Sequence, residues 1–149
     1  MNRASRALIF AMSVSLAMAA TVQAKAGGLP AIPLNSGQEA GEVISDGSGS
    51  FSYTVDGSTL CYVLAVRDLT GAPVAAHIHI GPRQVAGPVV VPLVAPPGAT
   101  SSTSSCIVAV EGGAMTPAEL AAIVADPGAY YANVHTPTYP GGEVRGQLK

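Results

Sequence analysis

The chain has no tryptophan, only two phenylalanines and 11% charged residues, and its seven Lys and Arg are scattered without a run. An average globular domain carries about 25% charge. Nucleic-acid binding needs a basic stripe and aromatic stacking platforms, and this sequence offers neither, so nucleic acid is not an expected partner. The common catalytic signatures are missing as well. There is no phosphate-cradling loop ending in Gly-Lys-Ser/Thr, no Gly-x-Ser-x-Gly elbow, no His-Glu-x-x-His and no dinucleotide fingerprint. Hydrolysis therefore has no candidate nucleophile. The run Gly47-Ser48-Gly49-Ser50 is not followed by a lysine and reads as a loop entering a strand. The nine Asp and Glu are dispersed, which leaves neither a carboxylate pair for glycoside hydrolysis nor a calcium loop.

What is abundant is turn-forming residues, with 17 Gly and 12 Pro in 149 residues. That composition argues for short strands joined by tight turns in one small domain. Residues 1–24 begin with Arg3 and Arg6, continue without charge from Ala7 to Ala20, and end in Val22-Gln23-Ala24, where small residues are spaced for a signal peptidase. They read as a secretory signal peptide. The uncharged core is too short for a permanent transmembrane helix, so no membrane span is expected after cleavage near Ala24. The exported chain would be periplasmic or secreted, with five Lys/Arg against nine Asp/Glu and a net charge of −4. Residues 25–31 read as a flexible leader, and residues 32–149 as the domain.

Both cysteines, Cys61 and Cys106, lie in the exported part. An even count in an oxidising compartment reads first as a disulfide. A thiolate metal site or two separate buried thiols are the alternatives, and neither a Cys-x-x-Cys spacing nor a nearby histidine supports them.

Strict alternation of apolar and hydroxyl residues from Gly49 to Val55, a turn at Asp56-Gly57, and renewed alternation from Leu60 to Val66 predict a β-hairpin. Further strands are expected over Val74 to Ile80, Pro88 to Val94, Cys106 to Val110, Tyr130 to Thr136 and Val144 to Leu148. Pro92 marks its strand as an edge or bulge. The Ser/Thr run before Cys106 reads as a loop. One helix is expected from about Pro117 to Ala125: Thr116 offers an N-cap, Glu119 completes a capping box, and Leu120, Ile123 and Val124 form an apolar face.

The three histidines carry the chemical interest. His77 and His79 sit two apart in an expected strand, so both side chains leave the same face, and His135 lies in another strand with Tyr131 and Asn133 on its face. Three neutral imidazoles without thiolates favour copper or zinc over calcium or magnesium. The competing reading is that these histidines only hydrogen-bond to backbone or water.

The same segments carry a family resemblance. Leu34-Asn35 with Gln38-Glu39, Ala76-His77-Ile78-His79 with Gly81-Pro82, Gly87-Pro88-Val89-Val90, Tyr131-Ala132-Asn133-Val134-His135-Thr136 and Pro140 to Leu148 resemble the CHRD (chordin-type) domain of exported bacterial proteins. The His-x-His pair, the distant His and the later Arg145 also look like the copper, zinc superoxide dismutases, which implies an antiparallel immunoglobulin-like or superoxide-dismutase-like β-sandwich. With only three histidines, the bridging ligand and separate zinc site of those enzymes have no candidates.

Glu143 and Arg145 share a face of the last strand. One reading is a plain ion pair. In the other, Arg145 guides an anion toward the histidines while Glu143, and similarly Asn133, holds a histidine N–H. Three functions therefore stand: a copper-binding (or zinc-binding) protein using His77, His79 and His135; a metal-free protein-interaction or envelope-structural module; and a copper superoxide dismutase-like redox enzyme.

Overall fold

The computed structural model describes residues 30–149. The expected signal peptide and most of the expected leader lie outside the described residues. Eight strands form one antiparallel sheet: β1 (Ile32–Asn35), β2 (Ser48–Asp56), β3 (Thr59–Arg67), β4 (Ala75–Ile80), β5 (Val89–Leu93), β6 (Ser101–Val108), β7 (Tyr130–His135) and β8 (Val144–Gln147). Their spatial order is β5-β4-β7-β8-β1-β2-β3-β6. Among the described residues a single helix, α1 (Pro117–Ala125), interrupts them, with short 3-10 turns at Ser36–Gln38 and Pro127–Ala129.

The sheet is curled. In a flat sheet β3 and β5, six places apart, would be about 29 Å from each other, yet the Tyr62 hydroxyl of β3 accepts a hydrogen bond of 2.7 Å from the Val94 N–H just past β5. Curling closes one core, in which Leu60 and Leu64 of β3 join Ile78, Val91, Ala132 and Val134 from the other half. The halves face each other as in a β-sandwich while remaining one continuous half-barrel. The all-β expectation with one short helix holds.

Period-2 patterning explains which residues enter. In β3, Leu60, Tyr62, Leu64 and Val66 are buried, while Cys61, Val63 and Ala65 face outward. The β2–β3 hairpin turns at Gly57, whose φ of +55° suits glycine. As the proline indicated, β5 is an edge strand, and the β4–β5 register shifts between Ile78 and His79.

Three details differ from the sequence reading. The Ser/Thr run is not a loop: Ser101 to Ser105 belong to β6, paired with β3 from Val66↔Ser101 to Thr59↔Val108. Hydroxyl side chains suit an edge strand with one wet face, which composition alone does not separate from a loop. The strand β1, too short to show a period, pairs Ile32↔Phe51 through Asn35↔Ser48. In α1, Leu120 and Ile123 are buried, but Val124 is 55% exposed and lies outside the apolar face.

Among the described residues no helix is long and apolar enough to cross a membrane. The helix starts as expected: Thr116 Oγ1 accepts from the Glu119 N–H at 3.2 Å, and Glu119 Oε2 accepts from the Thr116 N–H at 2.6 Å. Replacing Thr116 by Ala removes one half of this reciprocal cap. Denaturant unfolding of Thr116→Ala should show a loss of about 1 kcal/mol with an unchanged denaturant slope.

Candidate metal centre

The pairing of β4 with β7 brings the histidines together. In register, His77 faces Asn133, Ala75 faces His135 and His79 faces Tyr131. Ala76, Ile78, Ala132 and Val134 take the inner faces of these strands, so the histidines share the outer face. His77 Nδ1 lies 3.1 Å from His135 Nε2, and one nitrogen from each of the three rings falls within 4.8 Å of the others. Ligands about 2.0 to 2.1 Å from a common ion in tetrahedral geometry stand roughly 3.3 Å apart. The His77–His135 pair already matches that spacing.

Hydrogen bonds on the far sides of two rings set their tautomers. His79 Nδ1 lies 2.9 Å from the Gly87 carbonyl, and His135 Nδ1 lies 2.9 Å from the Pro140 carbonyl. A carbonyl only accepts, so each Nδ1 carries the proton and each Nε2 presents a lone pair. The His79 Nε2 is buried and has no partner. Neutral imidazoles anchored in this way through their distal N–H are the arrangement that metal-ligating histidines adopt. Burial lowers all three pKa values from the ordinary imidazole value; neighbouring imidazoles add to the effect at His77, and the carbonyl bonds at His79 and His135 partly oppose it. The Nε2 atoms of His79 and His135 are thus held ready as neutral donors, and His77 Nδ1, which here donates its proton to His135 Nε2, could join them in holding a metal ion once that proton moves to its own Nε2.

The chain matches the CHRD domain family over residues 31–148, a span that includes all three histidines and both carbonyl-bearing loops. The chain belongs to the CHRD domain family. No curated protein and no solved structure matches it.

In this CHRD domain Arg145 does not guide anions from an exposed position. It is fully buried, and its guanidinium donates to the carbonyls of Val85 (2.8 Å), Pro82 (2.6 Å) and Gly81 (3.3 Å) and to Gln147 Oε1 (3.3 Å). Its carbon sits 3.2 Å above the centre of the Tyr131 ring, and that ring stacks on His79 at 4.9 Å. Arg145 therefore fastens the loop of residues 81–87 over the sheet. The loop ends at Gly87, whose N–H donates to the Tyr131 hydroxyl and whose carbonyl holds His79. A Cβ at Gly87 would lie 1.6 Å from the Ile80 carbonyl oxygen, so only glycine fits there.

Glu143 likewise does not hold a histidine, and it does not pair with Arg145. Its carboxylate accepts from Ser45 Oγ, from the Thr70 N–H and hydroxyl, and from Thr136 Oγ1, at 2.6 to 2.8 Å. Burial alone would raise its pKa, but these donors outweigh burial and hold it below the usual glutamate value. Through Thr136 it steadies the turn that delivers the Pro140 carbonyl to His135. Asn133 also serves a different neighbour than expected: its amide donates to both carboxylate oxygens of Glu39 at 3.1 Å.

Glu39, Gly87 and Pro140 were not singled out as site residues in the sequence, although all three fall in the segments that carry the family resemblance. Nothing in local spacing shows that a loop carbonyl eight residues beyond His79, or five beyond His135, will turn back to meet that imidazole. Glu39 is buried against Asn133, and burial pushes its pKa up to about 7 even though Arg145 and the Asn133 bond pull it down.

The two carboxylates give opposite pH signatures. Glu143, with a depressed pKa, stabilises the fold above the glutamate value of 4.5, and this contribution is lost as pH falls below it. Glu39 keeps its proton in the folded state up to about pH 7, while the unfolded chain releases it near 4.5, so its contribution to stability is lost as pH rises through that window. The stability of Glu39→Gln minus that of wild type, followed by urea unfolding from pH 4 to 8, should grow across the window and level off above it, reaching on the order of 1 to 3 kcal/mol.

Proposed function

We propose that this CHRD domain is an exported metal-binding protein that holds a copper ion, with zinc as the next best fit, through His77 Nδ1, His79 Nε2 and His135 Nε2. The observation that carries the reading is the pair of backbone carbonyls at Gly87 and Pro140, which lock two converging imidazoles as Nδ1–H tautomers and leave the buried His79 Nε2 without a partner. A histidine that merely satisfies the end of a sandwich does not need its second nitrogen buried and idle. Copper is favoured because divalent copper outranks zinc at nitrogen sites and the set holds no thiolate. His77 is the least buried of the three, so the ion would be reached from its side, with a fourth position left for water or a small ligand. The disulfide Cys61–Cys106 and the basic-then-apolar residues 1–24 support export.

The protein's own groups would act by orientation. Arg145 and Tyr131 keep the Gly87 carbonyl on His79, Glu143 keeps the 136–142 turn on His135, and both rings present Nε2 without rearrangement. The bound ion would supply Lewis acidity or, as copper, one-electron chemistry.

Titration of wild type and His79→Ala with copper(II) at neutral pH tests the reading. Wild type should bind one ion, and His79→Ala should bind it roughly 100-fold or more weakly, because two imidazoles leave the ion mostly to solvent. Protons compete for the ligands, so wild-type affinity should decline as pH falls, and the depressed pKa values place the decline below the free imidazole value of about 6.5. If wild type binds copper no better than His79→Ala, the metal site is wrong and a metal-free interaction or envelope-structural module replaces it. A superoxide turnover assay on the copper-loaded protein decides the dismutase-like alternative.

A further inference from the structure

At the other end of the sheet the disulfide occupies an unusual place. Cys61 and Cys106 are joined, and they stand directly opposite each other in the β3–β6 ladder with Cα atoms 4.0 Å apart. Because alternate residues of β3 face inward, the bond lies on the outer face of the sheet; Cys106 is exposed and Cys61 is half-buried. Exposed disulfides are the ones that exchange most readily. This one forms part of a shallow depression of about 330 Å³ bordered by Ser52, Thr54, Val63 and Ser104, and the depression has no charged side chain in its lining. Cys106 also sits on an edge strand, so one flank of its sulfur has no neighbouring strand. The tertiary fold does not hang on the bond alone, since seven residue pairs besides the cysteines register β3 with β6.

We infer that Cys61–Cys106 is a thiol–disulfide exchange site, opened by the thiolate of a dithiol reductant of the thioredoxin class, and not only a structural clamp. Exchange rates depend on access to the attacked sulfur and on the thiolate that approaches it. The exposed Cys106 Sγ is the atom attacked. Its bond to Cys61 Sγ breaks, Cys61 leaves as a thiolate and takes up a proton, and the reductant is held to Cys106 as a mixed disulfide. The reductant's second thiol then attacks its own half of that bond, releasing Cys106 as a thiol and closing the reductant's disulfide. Two electrons pass to the domain and the reductant is oxidised by two. Reduction leaves β6 held to β3 by its ladder, with the histidine strands β4 and β7 at the far side of the strand order. The inference is therefore independent of the metal reading.

The test uses the full oxidised domain without denaturant. Incubation with dithiothreitol at neutral pH, followed by alkylation and mass spectrometry, should label both Cys61 and Cys106 while the β-sheet circular dichroism is retained. A thioredoxin-type protein lacking its resolving cysteine should be trapped on Cys106. Charge at Ser104, beside the sulfur on the same face, supplies a second handle: Ser104→Glu should slow reduction about 2- to 5-fold by repelling the incoming thiolate and Ser104→Lys should speed it by a similar factor, with the thermal midpoints of the oxidised proteins unchanged. Reduction that requires denaturant, loss of the sheet on reduction, trapping on Cys61, or equal rates for the two Ser104 variants would each overturn the inference.

Discussion

The pairing of β4 with β7 is the constraint on which the candidate site depends. These strands are separated by about fifty residues of chain, and their antiparallel register alone decides that His135 arrives two residue pairs from His77, on the same face, and not at the opposite end of the sheet. The same pairing buries Ala76, Ile78, Ala132 and Val134 in the core. Apolar burial fixes the register because a slip of one residue in β4 would turn Ala76 and Ile78 outward with His77 and His79 inward, and a slip in β7 would do the same to Ala132, Val134 and His135. The energy that places the imidazoles is thus hydrophobic, although the site itself is polar.

The outer face of β4, β7 and β8 is unusual for a curled sheet because it is covered. Every residue of β7 is buried, since the 81–87 loop and the segment around Gln38 and Glu39 form a second layer over it. A covered polar face must satisfy its groups internally. Arg145 does so by spending its donors on loop carbonyls and its π-facing side on Tyr131. Among the described residues three buried side-chain polar atoms have no partner: His79 Nε2 and Asn133 Oδ1 belong to the β4–β7 pair, two residue pairs apart, and the third is Arg145 Nε opposite Asn133. Unsatisfied capacity is concentrated in this one layer, while the opposite half of the sheet leaves its outer face to water, hydroxyls and the disulfide.

The two charged residues near the histidines show how an indirect role differs from a contact. Arg145 and Glu143 each touch loop groups, and the loops in turn offer a carbonyl to one imidazole each. The ring orientation is therefore set by backbone whose position depends on charged side chains several ångströms away. Such an arrangement couples the tautomers of His79 and His135 to the integrity of the loops.

Much of this was readable in the chain. Alternation in Phe51 to Val55 and Leu60 to Val66 specified the hairpin, and Thr116 with Glu119 specified the helix start, because these signals are local: a period of two, or a side chain reaching back three residues. The spacing of His77 and His79 likewise guaranteed a shared face. What only the tertiary structure decided was which neighbours meet. The Ser/Thr run became a strand because β3 offered it a ladder, Glu143 turned to Thr70 and Ser45 and not to Arg145, and the Gly87 and Pro140 carbonyls found the imidazoles. Sequence by itself determines the periodicities and caps, whose partners lie within a few residues along the chain. The choice of hydrogen-bond partner for a buried polar group depends on the curl and register of the whole sheet, which emerge only when the core closes.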